Sequence, residues 1–208
     1  MTKRSKSSAR WLHEHATDPY VKRAQQRGLR SRAAFKLEEL DATERLIQPG
    51  MVIVDLGAAP GGWSEYAAKV LKGKGTIVAL DLLPMNPVRG VEFIQGDFRE
   101  GAPLAALKAA LQGRPVDLVM SDMAPNMSGI DAVDQPRALH LAELALEFSR
   151  EVLRPGGTFI AKIFQGAGFD EFLRSVRREF DKVRMKKPPA SRARSAEMYL
   201  LATGRRIL

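Results

Sequence analysis

The sequence predicts a doubly wound, Rossmann-like α/β fold, with a mostly parallel, seven-stranded sheet and helices on both faces. Nearly continuous apolar runs, such as MVIVDLG at 51–57 and TIVALD at 76–81, are typical of strands buried on both sides. Segments of helical composition, such as PLAALKAALQ at 103–112, alternate with these runs. A parallel sheet needs this alternation because its strands are joined by crossover helices.

The predicted helices are bounded by capping and turn residues. Ser31 is a suitable N-cap, and a Pro near the start of the longest helix and Pro155-Gly156-Gly157 after its end mark its two limits. The first eight residues are polar, basic and Ser-rich, and we expect them to be disordered. We predict helices at 9–16, 19–27, 31–41, 103–112, 136–153 and 169–180, together with one directly after the Gly-rich segment at 57–62.

The predicted strands begin after the turn at Pro49-Gly50. We place them at 51–57, 76–81, 91–97, 116–122, 157–164, 182–187 and 197–204, the last two as a closing pair. The chain shows no internal repeat and no long linker, so it is predicted to form one Rossmann-like domain over 37–208 with a basic segment over 1–36 in front of it.

The composition excludes several classes of mechanism. The 208 residues include no Cys, which rules out a thiolate nucleophile, Cys-bound zinc, an iron–sulfur cluster and disulfides. No apolar run approaches the ~20 residues of a membrane span, and the N-terminus lacks the apolar stretch of a signal peptide. We therefore expect a cytoplasmic protein without a membrane partner, and a monomer.

Basic charge is concentrated at the two ends of the chain. Residues 1–36 and 174–208 each carry a balance of +8, whereas residues 37–173 carry −7. Lys and Arg gain affinity for polyanions by releasing phosphate counterions, so this pattern favours a nucleic-acid partner over a membrane surface or simple solvated tails. We expect RNA contacts from Arg30, Arg32, Arg192 and Arg194, and segment 1–36 is interpreted as RNA-binding.

The segment DLGAAPGGWS at 55–64 is a Gly-rich loop between a predicted strand and a predicted helix. Three kinds of ligand are candidates for such a loop. A phosphate-binding loop would need a Lys where Trp63 stands, and a dinucleotide fingerprint would need G-x-G-x-x-G instead of the spacing of Gly57, Gly61 and Gly62. S-adenosylmethionine is the third, and it has no phosphate to bind.

Three carboxylates at the ends of successive predicted strands support the third ligand. Asp81 is placed to accept hydrogen bonds from ribose hydroxyls, and Asp97 from the amino group of adenine. With Asp122, they would repel an anionic cofactor and attract a sulfonium cation.

Lys162 is a charged residue in an apolar strand that should be interior to the sheet, which favours a functional role. A buried Lys beside a second cation and a carboxylate is suited to abstracting a proton, and Lys36, Asp122 and Glu197 are the candidates for these neighbours. The three His residues lack metal-ligand spacing, so we expect no metal site.

Several motifs together resemble the FtsJ/RrmJ family of ribosomal RNA large-subunit uridine 2′-O-methyltransferases. The resemblance extends over almost the whole chain and is most specific in VDLGAAPGGWS, DLLPM, QGDF, SDMAPNMSG, RPGGTFIAKIFQG and SRARSAEMYL. It implies the Rossmann-like fold of S-adenosylmethionine-dependent methyltransferases. It also implies the 50S ribosomal particle as substrate and the A-loop uridine of 23S rRNA as target.

The resemblance further assigns residues to roles. It implies a catalytic Lys–Asp–Lys–Glu tetrad, which falls on Lys36, Asp122, Lys162 and Glu197. The family's contacts to S-adenosylmethionine fall on Gly61, Trp63, Asp81, Asp97 and Asp122.

Other functions remain open at the level of sequence. A nicotinamide-dependent oxidoreductase would share the sheet but not the glycine spacing, and a non-catalytic RNA-binding module would not need the tetrad. Methylation at pyrimidine C5 normally uses a Cys, and amino-group methyltransferases carry an aromatic residue where the segment DMAPN at 122–126 has none. Among 2′-O-methyltransferases, an enzyme acting on tRNA or another RNA is the alternative.

Overall fold

A computed structural model describes residues 17–192 and 195–207 of the chain. The helix predicted at 9–16, the disorder predicted for the first eight residues and the RNA contact predicted for Arg194 lie outside the described residues. The helices are α1 (Pro19–Gln26), α2 (Ala33–Glu44), α3 (Gly62–Leu71), α4 (Gly101–Leu111), α5 (Asp131–Val152) and α6 (Phe169–Glu179). The strands are β1 (Val52–Leu56), β2 (Thr76–Asp81), β3 (Val91–Gln95), β4 (Val116–Ser121), β5 (Leu153–Phe164), β6 (Phe180–Lys186) and β7 (Glu197–Arg205).

All seven strands form one sheet in the order β3-β2-β1-β4-β5-β7-β6. Strands β1 to β5 pair in parallel, and β7 runs antiparallel to both of its neighbours, β5 and β6. The predicted fold class is therefore confirmed. The strand that carries Lys162 is interior, as expected, because β4 and β7 flank β5.

Helices cover both faces of the sheet, and successive strand residues point to opposite faces. In β1, for example, Ile53 packs in the cluster formed with α2 and α3, whereas Val54 packs in the cluster formed with α4, α5 and α6. Since both residues are fully buried, the apolar run needs no polar alternation. This explains why β1 reads in the sequence as a hydrophobic segment, which only Asp55 interrupts.

The described part of the basic N-terminal segment packs on the domain. Ala24 of α1 and Phe35 of α2 bury their side chains with Ala190 in a third small cluster. The boundary predicted after residue 36 falls inside α2, where Phe35 and Leu37 on either side of it are both buried. Residues from 17 onward are thus continuous with the fold.

Two elements begin four or five residues earlier than the sequence predicts. α5 starts at Asp131 and includes Pro136, which removes only one helical hydrogen bond near the N-terminal end. The carboxylate of Asp134 accepts hydrogen bonds from the N–H groups of Ser128 and Gly129, and this fastens the preceding loop to the added turn. β5 starts at Leu153, with a shift in register against β4 that accommodates the Pro-Gly-Gly sequence.

No helix within residues 17–192 and 195–207 is long and apolar enough to cross a membrane.

Candidate active site

The register of the parallel strands brings their carboxyl ends to one edge. Leu56 of β1 lies opposite Leu80 of β2 and Ser121 of β4. The residues that come next, including Asp81 and Asp122, therefore meet at the same level of the sheet. This is the edge at which doubly wound folds bind their ligands.

The Gly-rich loop packs closely against other segments of the chain. Gly57 has a φ of +75°, and a Cβ there would lie 2.8 Å from the main-chain nitrogen of Met123. Gly61 has a φ of +107°, and a Cβ there would come within 2.9 Å of Met85 Sδ and 3.0 Å of Arg30 Cδ. Both positions require Gly, and at Gly57 the close approach is made by the main chain after β4.

Asp81 holds this loop in place. Its Oδ2 accepts a hydrogen bond from the N–H of Ala59 at 2.8 Å, and its Oδ1 accepts one from the N–H of Leu83, also at 2.8 Å. Each carboxylate oxygen has a second lone pair, so Asp81 can still accept hydrogen bonds from a ligand.

Asp97 lies two residues beyond the end of β3 and has a different environment. The Arg99 side chain donates hydrogen bonds to both of its oxygens, and these contacts lower the pKa of Asp97 to about 2. The Arg99 side chain is 61% exposed. Asp97 is therefore an ionised acceptor held by a solvent-exposed partner.

Trp63 turns its side chain into the core. The indole N–H donates a hydrogen bond to the carbonyl of Ala33 at 2.9 Å, and the residue is buried. What Trp63 can offer to a cofactor at this edge is therefore its main chain.

Beneath the loop lies Asp55, a fully buried carboxyl that the sequence analysis did not select. The pKa of Asp55 is raised to about 7, mainly by burial and further by the negative charges of Asp122 and Asp81. The Ser64 hydroxyl opposes this rise, because it donates a hydrogen bond to Asp55 Oδ2 at 2.6 Å. Its Oδ1 is buried without a hydrogen-bond partner. Below a pH of about 7 the carboxyl is protonated, so Asp55 adds little negative charge to this edge of the sheet.

The four residues of the predicted tetrad form two ion pairs. Lys162 Nζ donates a hydrogen bond to the main-chain oxygen of Asp122 at 2.6 Å and lies 3.2 Å from Asp122 Oδ1. Lys36 Nζ lies 2.6 Å from Glu197 Oε1. All four side chains are largely buried, at 9–17% exposure, so each pair is shielded from solvent.

Tyr199 joins the two pairs and is the main site residue that sequence reasoning missed. It lies opposite Lys162 in the β5–β7 register and two residues after Glu197. Its hydroxyl donates a hydrogen bond to Asp122 Oδ1 at 2.7 Å, and Lys36 Nζ lies 5.7 Å from its ring centroid. The signal was present in the sequence, because strand periodicity of two puts residues 197 and 199 on the same face.

Three of the arginines predicted to contact RNA make contacts within the chain: Arg30, Arg32 and Arg192. Arg30 donates hydrogen bonds to the carbonyls of Asn86 and Pro87, at 2.7 and 2.5 Å. Arg32 and Arg192 each lie 3.2 Å from Asp18 Oδ2.

Asp18 is thus held between two guanidinium groups. Burial alone would raise the pKa of Asp18, but Arg32, Arg192 and the N–H of Tyr20 lower it overall. Through Asp18, Arg32 and Arg192 hold the N-terminal segment against the domain.

Comparison with models of protein families matches residues 29–205 to the FtsJ-like methyltransferases. The match includes every residue of the tetrad and of the Gly-rich loop. The chain belongs to the FtsJ-like methyltransferase family. Members of this family use S-adenosylmethionine, so the predicted cofactor is confirmed.

Two solved structures resemble this FtsJ-like methyltransferase. A protein from Plasmodium falciparum, named as a ribosomal RNA methyltransferase, matches with a TM-score of 0.76 and 28% identity, over 85% of this chain and 98% of that chain. Aeropyrum pernix fibrillarin, solved with natively bound S-adenosyl-L-methionine, matches with a TM-score of 0.55 and 17% identity, over 82% of this chain and 74% of that chain. The second likeness shows a shared fold.

The carboxyl edge of this FtsJ-like methyltransferase fits a sulfonium cofactor. The carboxylates of Asp81 and Asp122 place negative charge at this edge, which would disfavour a cofactor bearing phosphates. Within the part of the chain that the structure describes, no group of three or more His, Asp or Glu side chains could hold a metal ion.

Proposed function

We propose that this FtsJ-like methyltransferase methylates the ribose 2′-hydroxyl of an RNA nucleotide, and that its target is the A-loop uridine of 23S rRNA in the 50S particle. The RNA and the target come from the family resemblance. The name of the Plasmodium falciparum protein supports ribosomal RNA as the substrate class. The basic ends of the chain supply charge suited to a large polyanion.

The observation that carries the proposal is the pair of buried Lys–carboxylate contacts beside the acidic edge. A ribose hydroxyl is a weak nucleophile, and attack on a methyl group requires its proton to leave. The described residues at this edge supply two amines and two carboxylates for that task. They present no thiol, because the sequence contains no Cys.

In this proposal Lys162 accepts the hydroxyl proton. To do so the amine must first be neutral, and a neutral Lys162 retains a donor hydrogen for the main-chain oxygen of Asp122. Lys36 and Glu197 orient Lys162 and the hydroxyl. The other carboxylate oxygen of Asp122, Oδ2, is assigned to placing the methyl donor, since Oδ1 is held by Tyr199 and Lys162.

S-adenosylmethionine, when bound, supplies a methyl group on a positively charged sulfur. Asp81 is assigned to the ribose hydroxyls of the cofactor and Asp97 to its adenine amino group. Gly61 allows a close approach of the main chain, and Trp63 contributes its main chain since its indole is buried. The proposed cofactor contacts are thus Gly61, Trp63, Asp81, Asp97 and Asp122.

The test is methyl transfer from labelled cofactor to three substrates: 50S particles, free 23S rRNA and tRNA. Digestion to nucleosides then identifies the modified position. We expect 2′-O-methyluridine from 50S particles. A methylated base would overturn the ribose assignment, and 2′-O-methylation of tRNA with none on 50S particles would favour the alternative substrate. Lys162→Ala is the control for background transfer.

A further inference from the structure

Tyr199 lies at the centre of the site, and none of the assigned roles uses it. It is fully buried in β7, opposite Lys162 on β5. Its hydroxyl donates its hydrogen bond to Asp122 Oδ1 at 2.7 Å. That same oxygen lies 3.2 Å from Lys162 Nζ, so one carboxylate oxygen is shared between a phenol and an ammonium.

The ring of Tyr199 contacts the other ion pair. Lys36 Nζ lies 5.7 Å from the ring centroid, within the range of a cation–π interaction, while it pairs with Glu197 at 2.6 Å. The indole of Trp63 packs against the same ring, with the two centroids 5.6 Å apart. Tyr199 is therefore fixed in orientation by aromatic packing and touches a member of each pair.

Filling the core would not by itself require a hydroxyl at this position. A buried phenol requires some acceptor, but an apolar ring of the same shape requires none. Burial, and the charges of Asp122 and Glu197, raise the pKa of Tyr199 well above its usual range, so the hydroxyl stays a donor throughout the pH range of an assay. The hydroxyl therefore keeps the proton that it donates to Asp122.

We propose that Tyr199 is a positioning residue for proton transfer. It holds Asp122 Oδ1 in place, and its hydrogen bond weakens the electrostatic attraction between Asp122 and the protonated amine of Lys162. The inference rests on the proposed function, in which Lys162 accepts the hydroxyl proton. A hydrogen bond to a carboxylate oxygen disperses part of its negative charge, so the oxygen attracts the ammonium less strongly. Without the phenol oxygen, Asp122 Oδ1 should contact only Lys162.

Other charged groups face this pair from the surrounding elements, and they stay unchanged in the test. They are Lys36 from α2, Arg32 before α2, Glu197 from β7, Asp55 from β1 and Asp81 at the end of β2.

The first variant is Tyr199→Phe, which keeps the ring beneath Lys36 and removes only the hydroxyl. We expect kcat to fall about 10-fold or more. The pH at which kcat reaches half its maximum should move upward, because Lys162 then holds its proton more tightly. The KM for RNA should not change.

Tyr66→Phe is the matched control. The Tyr66 hydroxyl also donates to a carboxylate, Asp41 Oδ2 at 2.9 Å, and neither residue belongs to the tetrad or to the proposed cofactor contacts. This variant should keep the kcat and pH profile of the parent protein. A Tyr199→Phe variant with an unchanged pH midpoint, whatever its kcat, would overturn the proposal and leave Tyr199 a structural residue.

A second measurement covers the case in which Tyr199→Phe fails to fold. Fluorotyrosine at position 199 has nearly the shape of tyrosine and is a stronger hydrogen-bond donor, so the pH midpoint should move downward. No movement would overturn the proposal. Failure of the proposed function has a separate signature, since nucleoside mapping of the parent protein's product would then show a site other than the 2′-oxygen.

Discussion

Lys162 contacts Asp122 twice, through a hydrogen bond to its main-chain oxygen at 2.6 Å and an ion pair with its carboxylate at 3.2 Å. The first contact fixes the position of the amine, and the second places a carboxylate oxygen beside it. An amine must be neutral before it accepts a proton. The activity of the protein should therefore depend on pH through this pair.

Lys162→Ala should lower the rate of methyl transfer by on the order of 10²–10⁴-fold, because it removes the proposed base. Lys162→Arg keeps a positive charge but cannot accept a proton at accessible pH. We expect both variants to be equally inactive, with cofactor binding intact by calorimetry. The rate of the unmodified protein should rise with pH through one ionisation.

A different result would assign Lys162 another role. If Lys162→Arg keeps most of the activity and the pH profile is flat, Lys162 acts as a fixed charge that stabilises the developing alkoxide. Because the larger guanidinium can displace the substrate, an inactive Arg variant counts for the base role only together with the pH profile.

Asp81→Ala should weaken S-adenosylmethionine binding by about 1–3 kcal/mol. The substitution removes the acceptor proposed for the ribose hydroxyls and also the two hydrogen bonds that hold Ala59 and Leu83. Titration calorimetry measures the affinity. Glu92→Ala, which removes an exposed carboxylate from β3, is the control and should bind normally. Equal affinity in both variants would place the cofactor elsewhere.

Arg192→Gln should weaken RNA binding and flatten its dependence on salt by about one unit of slope, as expected for one lost phosphate contact. Arg192 shares Asp18 with Arg32, and its side chain remains 27% exposed for a further contact. Arg174→Gln on α6, an exposed position on the opposite face of the sheet, is the control. If the salt slope stays the same in Arg192→Gln, this arginine serves only to hold the N-terminal segment.

Asp55 should make the protein less stable as pH rises. Its folded-state pKa is about 7, whereas the ordinary pKa of an Asp side chain is 3.8, so the folded state retains a proton that the unfolded state has lost. The stabilising contribution is complete below the unfolded pKa and is lost as pH rises through about 7, at a slope of at most about 1.4 kcal/mol per pH unit.

The measurement is the thermal unfolding midpoint of the parent protein and of Asp55→Asn between pH 4 and 8. Asn has the same shape but does not titrate, so the two curves should converge or cross as pH rises. Ser64→Ala removes a hydrogen bond that lowers the pKa of Asp55, and should move the transition to higher pH. Parallel curves for the parent and Asp55→Asn would show that Asp55 does not titrate in this range.

The sequence predicted the fold well because its dominant signal is local. Strands such as β2 and β4 are buried on both faces, and their apolar runs mark them almost to the residue. Element ends were less predictable where tertiary contacts set them. The start of α5 depends on the hydrogen bonds of Asp134 to the loop before it, which no pattern of hydrophobicity records.

The candidate site was predicted as a set of residues but not as an arrangement. Sequence reasoning selected Lys36 and Glu197 as neighbours of Lys162, but pairing Lys36 with Glu197 and Lys162 with Asp122 requires the antiparallel register of β7 on β5. Tyr199 was overlooked because it reads as one more apolar residue in a closing strand. The RNA contact of Arg30 stays a prediction, but its hydrogen bonds to two main-chain carbonyls could not be predicted, because no side-chain pattern in the sequence marks them.

The position of β7 has a consequence for how the protein is made. β7 lies between β5 and β6, so β6 has no strand to pair with until β7 has been synthesised. The two then add to the open edge of β5 as one hairpin, and with them come Glu197 and Tyr199. The strands that carry the Gly-rich loop and Asp81 can assemble earlier, because β1, β2 and β4 precede this hairpin in the chain. During translation the capacity to bind a methyl donor should therefore arise before the capacity to transfer the methyl group.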